Sequence, residues 1–122
     1  MYSPQLLDHF QNPRNAGDVS DADAVVEMEN PVCGDVLRLS LRIANGLVEE
    51  IRFKAKGCVP SIACGSALTE LVRGKSIEGA WALRREDVAA AVGGLPEASN
   101  HAALLALDAL SAALKKAAKG RH

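Results

Sequence analysis

Residues 36–56 read VLRLSLRIANGLVEEIRFKAK. Apolar and polar residues alternate on either side of one short interruption, the period-two pattern of half-buried strands. Leu37, Leu39, Leu41 and Ile43 take one face of the first run, and Arg38, Ser40 and Arg42 take the other. In the second run Ile51, Phe53 and Ala55 point inward while Arg52, Lys54 and Lys56 point outward. The interruption, ANG at 44–46, has the Asn-Gly chemistry of a tight hairpin turn. Upstream, AVVEME at 24–29 is another short strand. Together these runs read as a three-stranded antiparallel meander with one solvated face.

Outward from the strands the pattern turns helical. Ser3 is an N-cap with Pro4 at the first helical position, leading into QLLDHF at 5–10, and QNPRNAGD at 11–18 stops that helix. After the last strand, PSIACGSALTELVRGKS at 60–76 begins with Pro and reaches Gly74, the expected helix asymmetry. Ser76 caps a short helix through Trp81, REDVAAAV at 85–92 supports another, and GGLPEASN at 93–100 is a loop. The longest helix is HAALLALDALSAALKKAAK at 101–119, with Ala103, Leu107, Leu110 and Leu114 on one stripe. Strands followed by helices imply an α+β fold, a small three-stranded antiparallel sheet with helices packed on one face.

A chain of 122 residues, 48% apolar, fits one domain over 1–122 with a real core. A formal net charge of −1 leaves no electrostatic footprint for nucleic acid. No apolar run approaches the ~20 residues of a membrane helix, and MYSPQLLDHF lacks the features of a signal peptide. An odd count of three cysteines argues against a disulfide framework and for a reducing compartment, the cytoplasm.

Four residues with metal-ligating side chains fall at the ends of these elements. Cys33 and Asp35 sit in NPVCGD just before a strand, Cys58 lies between a strand and a helix, and His101 opens the last helix. Thiolate, imidazole and carboxylate form a ligand set for zinc or iron. Gly34 and Gly57, beside the two cysteines, allow close backbone approach to a metal or partner. The free N–H groups and dipole of the helix that follows Cys58 favour an anion there. Each residue also has an ordinary reading: a small buried hydrophobe for either cysteine, a turn residue for Asp35, a cap or surface residue for His101.

In combination these motifs resemble the IscU/NifU-type iron–sulfur cluster assembly scaffolds over nearly the whole chain. YSPQLLDHFQNPRNAG at 2–17 is similar to that family's opening segment, with Tyr2, Asp8, His9, Asn12, Pro13, Arg14, Asn15 and Gly17 in place. CGD at 33–35 resembles its first cysteine motif, RFKAKGC at 52–58 its second, and HAALLALDAL at 101–110 the segment of its third. The resemblance implies an α+β fold carrying the cysteines, the Asp and the His at one exposed end. There they hold a transient [2Fe-2S] cluster, iron, or a zinc ion, and zinc is the ion expected in protein as purified. It further implies persulfide sulfur from a cysteine desulfurase and handover to acceptor iron–sulfur apoproteins, a binding role and not an enzymatic one.

The sequence departs from that pattern in two places. The family's third cysteine directly follows the His, and here that position is Ala102. Cys33, Asp35, Cys58 and His101 remain as four ligands, enough for a tetrahedral zinc but short of thiolates for a cluster. Upstream, Ser99 stands where the family carries a basic residue, which speaks against handover by a dedicated Hsp70-type chaperone. Cys64 matches no family cysteine and shares a helical stripe with Leu68 and Leu71. Its Cα is expected roughly 8–10 Å from that of Cys58 at ~1.5 Å rise per residue, beyond the about 7 Å a disulfide spans. Cys64 therefore reads as core; the competing reading makes it a substitute for the lost thiol. Two other functions compete with the scaffold: a sulfur-transfer protein accepting persulfide on Cys58, and a structural zinc-binding paralogue.

Overall fold

The computed structural model describes residues 2–31 and 34–120. Strands β1 (Ala24–Asn30), β2 (Asp35–Ala44) and β3 (Leu47–Lys56) form one antiparallel sheet in the order β1-β2-β3. The β2–β3 hairpin closes where Ala44 pairs with Leu47, so Asn45 and Gly46 are the whole loop. Their φ values of 55° and 75° match the mirror-image turn that suits strand twist. Leu37, Leu39, Leu41, Ile43, Ile51 and Phe53 are buried on one face, as the alternation predicts, while Ala55 at its rim is half-buried.

The helices are α1 (Pro4–Gln11), α2 (Val59–Val72), α3 (Ile77–Trp81), α4 (Arg85–Ala91) and α5 (Asn100–Gly120). Helices α2 and α5 lie against the sheet, and α1 and α4 pack on α2. Most of α2 is therefore surrounded, and its small residues let it sit deep. A Cβ on Gly65 would fall 2.8 Å from Cδ2 of Phe53, so only glycine permits this approach to β3. On α5 the core face is built largely from Ala102, Ala103, Ala106, Ala109, Ala113 and Ala117 with Leu110 and Leu114, whereas Leu107 is only half-buried. The predicted stripe is buried at Ala103, Leu110 and Leu114, and the further alanines widen the core face beyond it. Leu71 on α2 is likewise half-buried.

The solvated face of the sheet is less open than alternation implies. Residues 15–17 run along β3, with Gly17 N–H donating to the Phe53 carbonyl at 2.9 Å and Phe53 N–H to that of Asn15 at 3.0 Å. The chain then crosses the outer face. Asp18 pairs with Arg38 at 2.9 Å and Lys54 at 3.0 Å, and Val19 N–H donates to Ser40 Oγ at 2.9 Å, which buries Ser40. This cover protects an edge that would otherwise be open to another strand.

A polar cluster built on the buried His9 and Ser66 anchors that crossing segment to α2. Ser66 Oγ lies 2.8 Å from His9 Nδ1 and accepts the Arg14 N–H at 2.9 Å. His9 Nε2 faces Glu70 at 3.6 Å, and Arg14 reaches both Asp8 and Glu70. Burial, and then the Arg14 charge, hold the His9 imidazole below its ordinary range against the opposing pull of Glu70 and Asp8. A histidine depressed in this way contributes stability that is complete above its unfolded value of about 6.5 and is lost as pH falls below it. Urea unfolding midpoints should therefore drop between about pH 7.5 and 5.5, and the drop should shrink in His9→Gln. An equal drop in both proteins would assign the pH dependence elsewhere.

Candidate metal centre

Each side chain of the candidate site is placed by the end of an element. Asp35 is the first residue of β2, buried to 1% exposure and paired across the sheet with Asn30. Cys58 is the N-cap of α2, with extended φ −73° and ψ 161°. Its side chain makes no capping hydrogen bond, and Pro60 in the first turn has no N–H to offer, so the sulfur is left for other partners. A 3₁₀ turn, Glu97–Ser99, leads into α5 at Asn100 and sets His101 in its first turn. This turn occupies the stretch expected as a loop, and Ser99 within it is buried.

The ligand atoms of Asp35, Cys58 and His101 all lie within 4.8 Å of one another. Asp35 Oδ1 accepts the Cys58 backbone N–H at 2.9 Å. Asp35 Oδ2 accepts the Ser61 hydroxyl at 2.8 Å, lies 3.4 Å from the Cys58 sulfur and 3.5 Å from His101 Nε2. The sulfur is 3.8 Å from His101 Nε2 and 3.1 Å from Ser61 Oγ. Burial disfavours a charged Asp35. The Cys58 N–H, the Ser61 hydroxyl, the Cys58 thiol and His101 together outweigh it and hold the carboxyl below the usual range. The backbone at Gly57 makes this seat possible: a Cβ there would lie 2.1 Å from Asp35 Oδ1.

His101 Nδ1 lies 3.2 Å from the Ala98 carbonyl oxygen. With the Nδ1 proton donated there, Nε2 presents its lone pair to the carboxylate and sulfur, the tautomer a metal ligand needs. Carboxylate, thiol and imidazole then converge as three acceptor-capable atoms of mixed O, S and N chemistry, which fits zinc or iron. The same geometry bears on hydrolysis. A thiol and an imidazole are close, but the carboxylate stands on the Nε2 side with the thiol, whereas a hydrolytic triad needs it on the opposite nitrogen.

Of the four residues singled out from sequence, three meet here; Cys33 lies outside the described residues. Cys64 is at 0% exposure in the main core with Leu68 and Phe53, and burial, reinforced by the nearby Cys58, pushes its thiol up to about 12. Cys58 and Cys64 are both free, and Cys64 is absent from the cluster of ligand atoms. Ala102 turns into the core at 1% exposure. Ser61 is the site residue that the sequence reading missed. Its signal is its spacing: N-cap and third helical residue face each other, as in a capping box.

Fold and site together define a small α+β domain that presents mixed thiol, imidazole and carboxylate ligands at the ends of its elements. The family model described as "NifU-like N terminal domain" matches residues 1–121, and the chain belongs to that family. It is 46% identical over 114 residues to "Iron-sulfur cluster assembly scaffold protein IscU 1" of Archaeoglobus fulgidus, covering 93% of this chain and 74% of the relative. It is 39% identical over 117 residues to the IscU scaffold protein of Escherichia coli, covering 93% and 91%. Among solved structures, a putative iron–sulfur cluster assembly scaffold protein for the SUF system from Fervidobacterium Islandicum superposes with a TM-score of 0.78 at 19% identity, covering 93% and 96%. The N-terminal NifU-like protein from Brucella abortus gives 0.74 at 18%, covering 96% and 94%. These two structures share the three-stranded α+β fold. No helix among the described residues is long and apolar enough to cross a membrane.

Proposed function

We propose that this chain is an iron–sulfur cluster assembly scaffold, a single domain on which Cys33, Asp35, Cys58 and His101 bind iron and a transient [2Fe-2S] cluster as cargo. The observation that carries this reading is the convergence of Asp35, Cys58 and His101 to within 4.8 Å from three separate elements, in a chain of the NifU-like family. Sulfur comes from a cysteine desulfurase, and the finished cluster leaves for acceptor apoproteins, so the chain binds and hands over and is not an enzyme. In the reducing cytoplasm, zinc occupies the same ligands when no cluster is present, at about one ion per chain or less, and is the ion carried through purification. Its binding weakens in acid, because thiolate and imidazole ligands must be deprotonated.

A structural zinc centre should be closed, but the His101 side chain is 32% exposed. A pure sulfur carrier needs Cys58 alone and has no use for a buried carboxylate and an imidazole aimed at the same point. Both features favour a metal-loading site open to partners.

Anaerobic reconstitution with iron and sulfide, followed by visible absorption and metal analysis, tests the proposal. The protein should develop sulfide-to-iron absorption that decays over time, and zinc should compete with it. Neither cluster nor zinc uptake would refute it. Under the same protocol Ala102→Cys should raise cluster yield and lifetime, because it returns a soft charged ligand next to His101. A helix end would tolerate the change freely, but Ala102 is buried at 1% exposure, so the added sulfur should cost about 1 kcal/mol of stability. An unchanged cluster lifetime would show that the missing thiol is not what limits retention.

A further inference from the structure

Ser61 is unlike the other hydroxyls of the α2 interior. Thr69 donates to the Ser66 carbonyl at 2.7 Å, and Ser66 itself serves His9 and Arg14 on the far side of the helix from the site. Ser61, buried at 5% exposure, lies against two candidate ligands. It donates to Asp35 Oδ2 at 2.8 Å and sits 3.1 Å from the Cys58 sulfur. We propose that Ser61 is a positioning residue of the metal site, its hydroxyl holding the Asp35 carboxylate beside the Cys58 sulfur where one ion can take both.

The reason is a count of constraints. Asp35 has one oxygen tied to the Cys58 backbone N–H at 2.9 Å, and this alone leaves the carboxylate free to pivot about that bond. The Ser61 hydroxyl supplies a second, independent tie to the other oxygen. Both donors come from the first turn of α2, so the carboxylate is fixed relative to the helix that carries the thiol. The same oxygen lies 3.1 Å from the sulfur and, with its proton given to Asp35, can accept only from the protonated thiol, so its hold on the ligands runs through the carboxylate. Outer partners of this kind orient metal ligands, and their removal typically costs 10–100-fold in affinity. Ser61 is neither charged nor soft, so it acts through Asp35 and not as a ligand itself.

This inference rests on the reading of Asp35, Cys58 and His101 as metal ligands, and the test separates the two. Wild type and Ser61→Ala are titrated with cobalt(II) as the probe, under reducing conditions, following the sulfur-to-cobalt charge-transfer band. Thermal unfolding of the metal-free proteins is measured alongside. Ser61→Ala should bind cobalt roughly 10–100-fold more weakly. Its charge-transfer band should shift in wavelength, because a carboxylate freed to pivot meets the ion differently and changes the field around the sulfur-bound cobalt. The metal-free melting temperature should fall by a few degrees, because the buried Asp35 carboxylate loses one of its donors. If wild type itself shows no charge-transfer band, the metal-site reading falls and this inference falls with it. If wild type binds and Ser61→Ala matches it in affinity and band position, the role of Ser61 is refuted while the site stands. Weaker binding with an unmoved band would mean that Ser61 acts only through the fold and not on the ligands, and also overturns the assignment.

Discussion

Gly57→Ala should lose on the order of 3 kcal/mol of stability, a fall of roughly 10 °C in Tm, and should no longer take up zinc. Two independent terms add. The backbone at Gly57 has φ +139°, a conformation essentially reserved for glycine and costing about 1–3 kcal/mol for other residues. The new Cβ would also stand 2.1 Å from Asp35 Oδ1, so the carboxylate must leave its seat. Its departure strips the Cys58 N–H of its acceptor and leaves a buried carboxylate without its donors, a further ~1–3 kcal/mol. Gly74→Ala is the control. Gly74 also has positive φ, +85°, but a Cβ there meets nothing within 4 Å. It should lose only the backbone term and keep zinc binding. Equal melting temperatures for the two variants, with zinc retained in both, would mean that Asp35 is not held by the close approach at Gly57.

The second large effect separates the two cysteines of α2. Cys58→Ala should reduce zinc affinity by more than the 10–100-fold that an outer partner is worth, because it removes the soft anionic ligand itself. Its stability should change by less than about 1 kcal/mol, since the sulfur is only half-buried and caps nothing. Cys64→Ala should behave in the opposite way. It leaves zinc affinity unchanged and costs about 1–2 kcal/mol, because a sulfur at 0% exposure vacates packed space beside Leu68 and Phe53. Competition with a chromophoric chelator and urea unfolding on both variants decide the matter. Zinc binding lost in Cys64→Ala and kept in Cys58→Ala would reassign the metal-binding thiol.

The α+β fold was legible before any tertiary information, because its signals are local. Strand alternation in β2 and β3, the Asn45-Gly46 turn, the Ser3 and Ser76 caps and Gly74 after α2 each depend on neighbours within a few residues. Side-chain direction in a strand alternates whatever packs on it, so the buried set Leu37, Leu39, Leu41, Ile43, Ile51 and Phe53 followed directly. The burial of Cys64 followed for a similar reason, from its place on the α2 stripe with Leu68.

Tertiary structure alone decided three matters. Whether the outer sheet face is wet depends on where the segment after α1 travels, and Ser40 is buried because Val19 crosses over it. How wide the buried face of α5 is depends on what packs around it, which buries Ala102, Ala106, Ala109 and Ala113 beyond the stripe and leaves Leu107 half-buried. The assembly of the site is the third. Asp35, Cys58 and His101 are each unremarkable alone and far apart along the chain, and no local rule brings their ligand atoms within 4.8 Å. That distance is set by strand pairing, which places Asp35 beside the end of β3, and by the packing of α5 on α2, which turns His101 toward Cys58. Ser61 joins them for the same reason. Its spacing from Cys58 is visible in the sequence, but the carboxylate that gives its hydroxyl a role arrives from another strand.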